Sequence, residues 1–415
     1  MVNIIVELSK YSIILLITMY TFLCFSIFGY QDPDKKRQLL RRQNVLMFMI
    51  HIIAFLVMYL ETEDIKMLVF YLAQVVLLGA TILLYILIYP KVSRLVVNNM
   101  CMLLCIGLIM LTRLDYDIAM KQFLIAAGAI GLSFIVPVLI RKFKFFSEWR
   151  TLYAVVGIVS LGAVVVVGRV SYGAKLGFDI AGISVQPSEL VKIVFVFFVA
   201  SSFKKSLEFK NVVITTALAA FQVLILVASK VSGFNHHHTK IVASKDLGAA
   251  LIVFMVYLTM LYVATRQPLY ILAGLGAGSA ASVVAYYLFN HVRVRVLAWK
   301  DPIATYDNGG YQVAQSLFAI GTGGWFGMGL FQGEPMSIPV RESDFIFAAI
   351  AEELGIIFAL CMTLICVSVY VMFLNIAMQL HNIFYKLVAL GLGTCYIFQT
   401  FLAIGGVTKF IPSTG

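Results

Sequence analysis

The sequence predicts an all-α, polytopic membrane protein of about twelve transmembrane helices, with one large extracytoplasmic loop over residues 290–343. Three observations carry that prediction. Of 415 residues, 61% are hydrophobic and only 12% charged, and the mean hydropathy is +0.97, far outside the range of water-soluble domains. The apolar residues gather into separate runs near the ~17–25 residues that cross a bilayer. Basic links then recur at every second junction, as the positive-inside rule expects of alternating spans.

In chain order the runs lie at 11–29, 44–61, 67–89, 97–113, 121–140, 151–167, 187–203, 211–229, 247–265, 269–289, 345–374 and 386–405. The first lacks a basic leader and a small-residue cleavage pattern, so it reads as a retained anchor. The link QDPDKKRQLLRRQ is basic, as are those at Lys91 and Arg94, at Arg141, Lys142, Lys144 and Arg150, at Lys204, Lys205 and Lys210, and at Arg266. These belong in the cytoplasm, which sets the N-terminus outside. By parity the acidic link ETED, the segments 168–186 and 230–246, and the stretch 290–343 face outward. Topology of this kind accounts for most of the formal charge of +11, so no nucleic-acid partner is implied. Cys24, Cys101, Cys105, Cys361, Cys366 and Cys395 all lie inside apolar runs and read as small core residues.

Several basic residues fall on the side where the rule predicts few: Arg169, Lys175, Arg293, Arg295, Lys300 and Arg341. Guanidinium and ammonium groups at a membrane surface suit phosphate, and snorkelling to lipid headgroups is the alternative. Four in one loop favour an anionic ligand. In the outward segment before residue 187, Pro187 and Ser188 mark a helix start. Glu189 and Lys192 follow at i and i+3, share a face and can pair. Lys192 lies one turn inside an apolar helix, where it is either functional or part of an ion pair that fixes helix depth. A doubled VASK flanks an insertion over 231–245 that holds His236, His237 and His238. Three adjacent imidazoles without further ligands fit a solvated loop better than a dedicated metal site. Asp246 opens the next helix, as an N-cap or as a substrate contact.

The polar stretch from His291 to Gly355 interrupts the apolar pattern and is where chemistry is expected. Gln312 and Gln315 share one helical face. The glycines of GTGGWFGMGL lack the Gly-Lys-Ser/Thr of a nucleotide loop, and fit a tight re-entrant turn shielded by protein. Asp344 is expected in the first turn of the following helix, as a general base or a cap. Glu352 and Glu353 lie about 12–14 Å further along it. Carboxylates so placed need partners, and Lys192 or Lys409 is the candidate.

Taken together, QPSELVKI (186–193), KDLGAALI (245–252), GGYQVAQSLFAIGTGGWFGMGLFQG (309–333), DFIFAAIAEELG (344–355) and GGVTKFIPSTG (405–415) closely resemble the SEDS family, the shape, elongation, division and sporulation proteins FtsW, RodA and SpoVE. The resemblance covers 91–415 and leaves 1–90 as N-terminal transmembrane helices outside the family core. It implies a peptidoglycan glycosyltransferase of the bacterial cytoplasmic membrane, active on the outer face, that polymerises lipid II into glycan strands and releases undecaprenyl diphosphate. The implied partners are a class B penicillin-binding protein and other division or elongation membrane proteins. By position, Asp344 resembles the family's essential aspartate, Glu189, Lys192 and Asp246 its other motif polar groups, and Glu352 and Glu353 its paired acidic residues. On that likeness Asp344 takes the acceptor hydroxyl proton. Arg293, Arg295 and Arg341, or a divalent cation held by the diphosphate, offset the developing charge, with Gln312 and Gln315 as further substrate contacts.

The chain departs from the family pattern in places. Glu342 stands where the family often has histidine, the segment 173–185 lacks the usual aromatic residue, and KDLG replaces PDLG. The sequence ends at Gly415, where the family continues into a final helix, so the core reads as C-terminally truncated. Two rival readings stand beside the enzyme: a lipid-linked sugar flippase that uses intramembrane Glu and Lys, and an inactive scaffold for a transpeptidase. The absence of an evident inverted repeat and the outward concentration of polar groups favour the enzyme.

Overall fold

The computed structural model describes residues 2–167, 169–171, 174–180, 183–227 and 246–413. The insertion 231–245 with its three histidines, Gly415, and the side chains of Arg169 and Lys175 lie outside that description. Among the described residues there are fourteen α-helices: α1 (Val2–Gly29), α2 (Pro33–Thr62), α3 (Ile65–Ile88), α4 (Arg94–Leu114), α5 (Tyr116–Lys142), α6 (Arg150–Val167), α7 (Pro187–Lys205), α8 (Phe209–Val227), α9 (Leu247–Thr265), α10 (Pro268–Leu288), α11 (Asn290–Lys300), α12 (Tyr311–Gly323), α13 (Ile346–Gln379) and α14 (Ile383–Val407). Ten of them are long and apolar enough to cross a membrane, and the chain is a multi-pass membrane protein. Every expected span coincides with a helix. Two of the twelve expected spans, α6 and α7, are not among those ten; α7 carries Glu189, Lys192, Lys204 and Lys205.

Helix ends differ from the apolar runs for a local reason. The basic link before residue 44 is itself helical: α2 starts at Pro33, with Asp32 as N-cap accepting from the Asp34 amide at 2.9 Å. Lys, Arg and Gln propagate a helix well, so the helix continues past its apolar part. The segment after α6 adds a small antiparallel ribbon, β1 (Arg169–Ser171), β2 (Ala174–Ile180) and β3 (Ile183–Val185), which hydropathy gave no sign of.

The chain forms two compact units. One comprises residues 1–142, 298–372 and 407–411, the other 143–297, 373–406 and 412–415. In the first, buried polar side chains tie four helices together. Asn99 of α4 accepts from the Tyr20 hydroxyl of α1 at 2.9 Å and donates to Ser368 of α13 at 2.8 Å. Gln43 of α2 donates to the Cys24 sulfur at 3.2 Å, and Asn98 donates to Gln43 at 3.2 Å and to the Leu40 carbonyl at 3.0 Å. Polar groups in apolar surroundings are costly unless bonded, so these contacts fix how α1, α2, α4 and α13 meet. Leu8, Leu15 and Phe22, by contrast, form an exposed stripe on α1 suited to lipid.

The sequence reads 345–374 as one span, but α13 is interrupted at Gly355, where φ is 87° and ψ 164°. The glycine segment after α12 closes the gap. The amides of Met328 and Gly329 donate to the carbonyls of Glu352 and Glu353 at 2.9 and 2.8 Å, and those of Ile356 and Ile357 donate to Gly324 and Trp325 at 3.0 and 3.3 Å. A Cβ on Gly355 would stand 2.5 Å from the Gly327 nitrogen, and one on Gly327 would stand 2.4 Å from the Glu353 carbonyl. Only glycine permits this backbone approach and this φ. Gly355→Ala is therefore expected to cost about 1–3 kcal/mol from backbone strain alone, with further loss from overlap. A lowered unfolding midpoint in detergent would show it, and an unchanged midpoint would contradict the pairing.

Candidate active site

In the second unit the motif residues at the starts of α7 and α9 come together. Pro187 occupies the first turn of α7, as the sequence predicts. Asp246 is the N-cap of α9: its Oδ1 accepts from the Ala249 amide at 2.9 Å, and its Oδ2 accepts from the Ser188 hydroxyl at 2.9 Å and the Gln186 amide at 3.2 Å. The cap thus also joins the two helix starts. One turn further along α7, the Lys192 ammonium pairs with Glu189 at 2.7 Å and donates to Gln399 of α14 at 2.8 Å. Lys192 is 4% exposed, whereas the Glu189 side chain is half exposed. A buried cation is tolerable with these partners, and Glu189 keeps an open face. Gln399 was not singled out from the sequence; a lone amide inside the run 386–405 was its signal.

In the first unit Glu353 is fully buried. Its Oε1 accepts from Arg113 of α4 at 2.9 Å (Nε) and 2.8 Å (Nη2), and from the Phe331 amide at 3.2 Å. The Arg113 guanidinium lies 4.1 Å from the centre of the Phe331 ring, a cation–π contact that helps hold it. Glu352, 4% exposed, accepts from the Glu334 amide at 2.9 Å through its Oε1. The expected partners, Lys192 and Lys409, are replaced by Arg113 and two backbone amides. The reason is geometric, because the segment 330–334 folds over both carboxylates once the glycines have closed the break in α13. The Oε2 atoms of Glu352 and Glu353 have no hydrogen-bond partner among the described residues.

Asp344 stands in the turn before α13, not in its first helical turn. The turn is closed by Phe345 donating to Val340 at 3.3 Å and Ile346 donating to Ser343 at 3.3 Å, with Val340 at φ 53°. The Asp344 side chain is exposed and makes no ion pair or hydrogen bond among the described residues. It caps nothing. Arg341 pairs with Glu342 at 3.3 Å and donates to the Met336 carbonyl at 3.2 Å. Gln315 donates to the Tyr306 hydroxyl at 2.8 Å, with Gln312 one turn before it on α12.

Arg293 and Arg295 lie on α11. Arg293 is exposed, donates to the Tyr287 carbonyl at 3.3 Å and sits 5.8 Å from the Tyr286 ring centre, while Arg295 is half-buried. Among the described residues no group of three or more His, Cys, Asp or Glu is placed to hold a metal ion.

Residues 93–415 match the FtsW, RodA and SpoVE family model, described as a cell cycle protein. A Mycobacterium tuberculosis peptidoglycan glycosyltransferase RodA is 31% identical over 344 residues, covering 79% of this chain and 72% of that protein. The Bacillus subtilis stage V sporulation protein E is 30% identical over 334 residues, covering 76% and 87%. A solved structure described as coordinating polymerization and crosslinking in a peptidoglycan synthase complex has a similar fold. Its TM-score is 0.61 at 22% identity, over 77% of this chain and 88% of that one.

Arg113 gives a direct test of the buried pair. Arg113→Ala leaves Glu353 buried without its counter-charge and is expected to cost about 3–5 kcal/mol, whereas Arg113→Met with Glu353→Leu removes both charges and restores most of the loss. Unfolding midpoints of Arg113→Met, Glu353→Leu and the double variant read the coupling. Additive losses would mean that the pair does not act as one.

Proposed function

Because the chain belongs to the FtsW, RodA and SpoVE family of cell cycle proteins, we propose that Asp344 is the general base of a glycosyl transfer that joins lipid II units into peptidoglycan strands. The chain is a membrane peptidoglycan glycosyltransferase. The observation that carries the role of Asp344 is its freedom. Among the motif carboxylates, Glu353 is held by Arg113, Glu352 by a backbone amide, Asp246 by its cap contacts and Glu189 by Lys192. Only the Asp344 carboxylate is both exposed and unpartnered.

A base must reach the acceptor proton and be able to take it. The acceptor sugar's 4-hydroxyl gives its proton to Asp344 as its oxygen attacks the donor anomeric carbon. The anomeric carbon–oxygen bond to the diphosphate breaks, and its electron pair leaves with undecaprenyl diphosphate. Configuration inverts. A leaving group this good needs no protonation, so one carboxylate serves where glycosidases use two. A cation beside the breaking bond would offset the charge that develops on the diphosphate. Arg341, already occupied by Glu342, has to exchange that partner to join it. A divalent cation held by the diphosphate itself would offset the same charge.

The parity of basic links supports an active site on the outer face, where the lipid-linked substrate and its polymer belong. The proposed partner is a crosslinking enzyme of the penicillin-binding class, because a glycan strand must be joined to others. Purified chain in detergent with labelled lipid II tests the central step. Asp344→Asn is expected to lower strand formation by about 10²–10⁴-fold while leaving the unfolding midpoint unchanged, since the Asp344 side chain bonds to none of the described residues. Equal turnover of both proteins would remove the base. Turnover by neither, with translocation of labelled lipid across vesicles, would favour the transporter reading.

A further inference from the structure

At the basic end of the N-terminal helices, a cleft of about 320 Å³ opens among α2, α3 and α4, and Arg37, Arg41, Asn44, Arg94 and Asn98 supply its polar wall. Leu40 and Ile86 complete it with apolar surface. Arg37, Arg41 and Asn44 recur at i, i+4 and i+7 on α2, and Arg94 and Asn98 at i and i+4 on α4, so each helix turns one face to the cleft. Asn98 is fixed by its bonds to Leu40 and Gln43.

We propose that this cleft binds the phosphate headgroup of an anionic, hydroxyl-bearing glycerophospholipid of the phosphatidylglycerol class, from the cytoplasmic leaflet. Three features point to that ligand. No acidic side chain lines the cleft; Arg37 has only a long, exposed contact to Asp34 at 3.5 Å, and Arg41 and Arg94 have no ion pair or hydrogen bond among the described residues. Three converging guanidinium groups repel one another unless an anion joins them. Secondly, the positive-inside rule explains how many basic residues these links carry but not which ones converge. Lys35, Lys36, Arg42 and Lys91 belong to the same links and stay out of the cleft, while Arg37, Arg41 and Arg94, whose planar forks match phosphate, line it.

The third feature is Asn44. Its Oδ1 is buried without a partner among the described residues. An ionised phosphate cannot donate to it, but a glycerol hydroxyl can. Leu40 and Ile86 give the lipid's glycerol backbone and acyl chains an apolar surface. Basic pockets between transmembrane helices on the cytoplasmic side are suited to anionic headgroups in this way.

Native mass spectrometry of the full chain in neutral detergent, titrated with phosphatidylglycerol or phosphatidylcholine, reads the site. Phosphatidylglycerol is expected to bind preferentially, and Arg41→Gln with Arg94→Gln to weaken it by about thirtyfold, the loss expected from two cations at a membrane surface. Lys35→Gln with Lys36→Gln removes equal charge from the same link and is expected to change little. Asn44→Leu is expected to erase the preference for phosphatidylglycerol over phosphatidylethanol, whose headgroup has no hydroxyl. Equal losses from the arginine and lysine pairs would reduce the effect to surface charge and overturn the site. Binding of soluble glycerol 3-phosphate without binding of the lipid would overturn the lipid assignment. Should the glutamine variant fail to fold, Arg41→Lys with Arg94→Lys keeps the charge and loses the fork, and wild-type affinity in it would equally overturn the proposal.

Discussion

The first unit depends on how a helix broken within an apolar chain satisfies its backbone. Interrupting α13 at Gly355 strands carbonyls on one side and amides on the other, and such groups are expensive away from water. The segment 324–329 meets them with donors and acceptors in the matching order. That pairing requires backbones too close for side chains at Gly327 and Gly355. The glycine run is a device for bonding, and its consequence is positional. Once it is docked, the chain that follows covers Glu352 and Glu353, and the turn carrying Asp344 is set at the head of α13.

Charge distribution follows from the same constraint. In low-dielectric surroundings each ionised group needs a partner close by, and most of the charged motif residues have one: Arg113 with Glu353, Lys192 with Glu189 and Gln399, Asp246 with its cap amide and Ser188. These groups organise the protein. Asp344, at the exposed turn, is under no such demand, and a carboxylate that stabilises nothing is available for proton transfer. Structural work thereby falls to some of these residues and not to others that look alike in sequence.

The N-terminal helices lie before the family match, which begins at residue 93, yet they belong to the same compact unit as α4, α5 and the α13 break. Asn98 and Asn99, adjacent on α4, show how. Asn99 bonds Tyr20 and Ser368 in the buried interior, while Asn98 bonds α2 and borders the arginine-lined cleft. One short stretch of α4 thus serves packing on one side and a basic surface on the other.

The sequence by itself determined the class, the helical stretches and the motif positions, because an apolar helix is written in hydropathy and length, and a helix start in a few neighbouring residues such as Pro187 or Asp246. The i, i+3 pairing of Glu189 with Lys192 was equally legible, since a helix fixes that spacing. Three things were left to the tertiary structure: Arg113 as the partner of Glu353, 240 residues away in sequence, the break at Gly355, and the convergence of Arg41 and Arg94 on one cleft. Each depends on which helices lie side by side. In a chain where almost every helix is apolar all round, hydropathy carries no signal of neighbour choice, and only the packed structure brings distant polar groups within bonding distance.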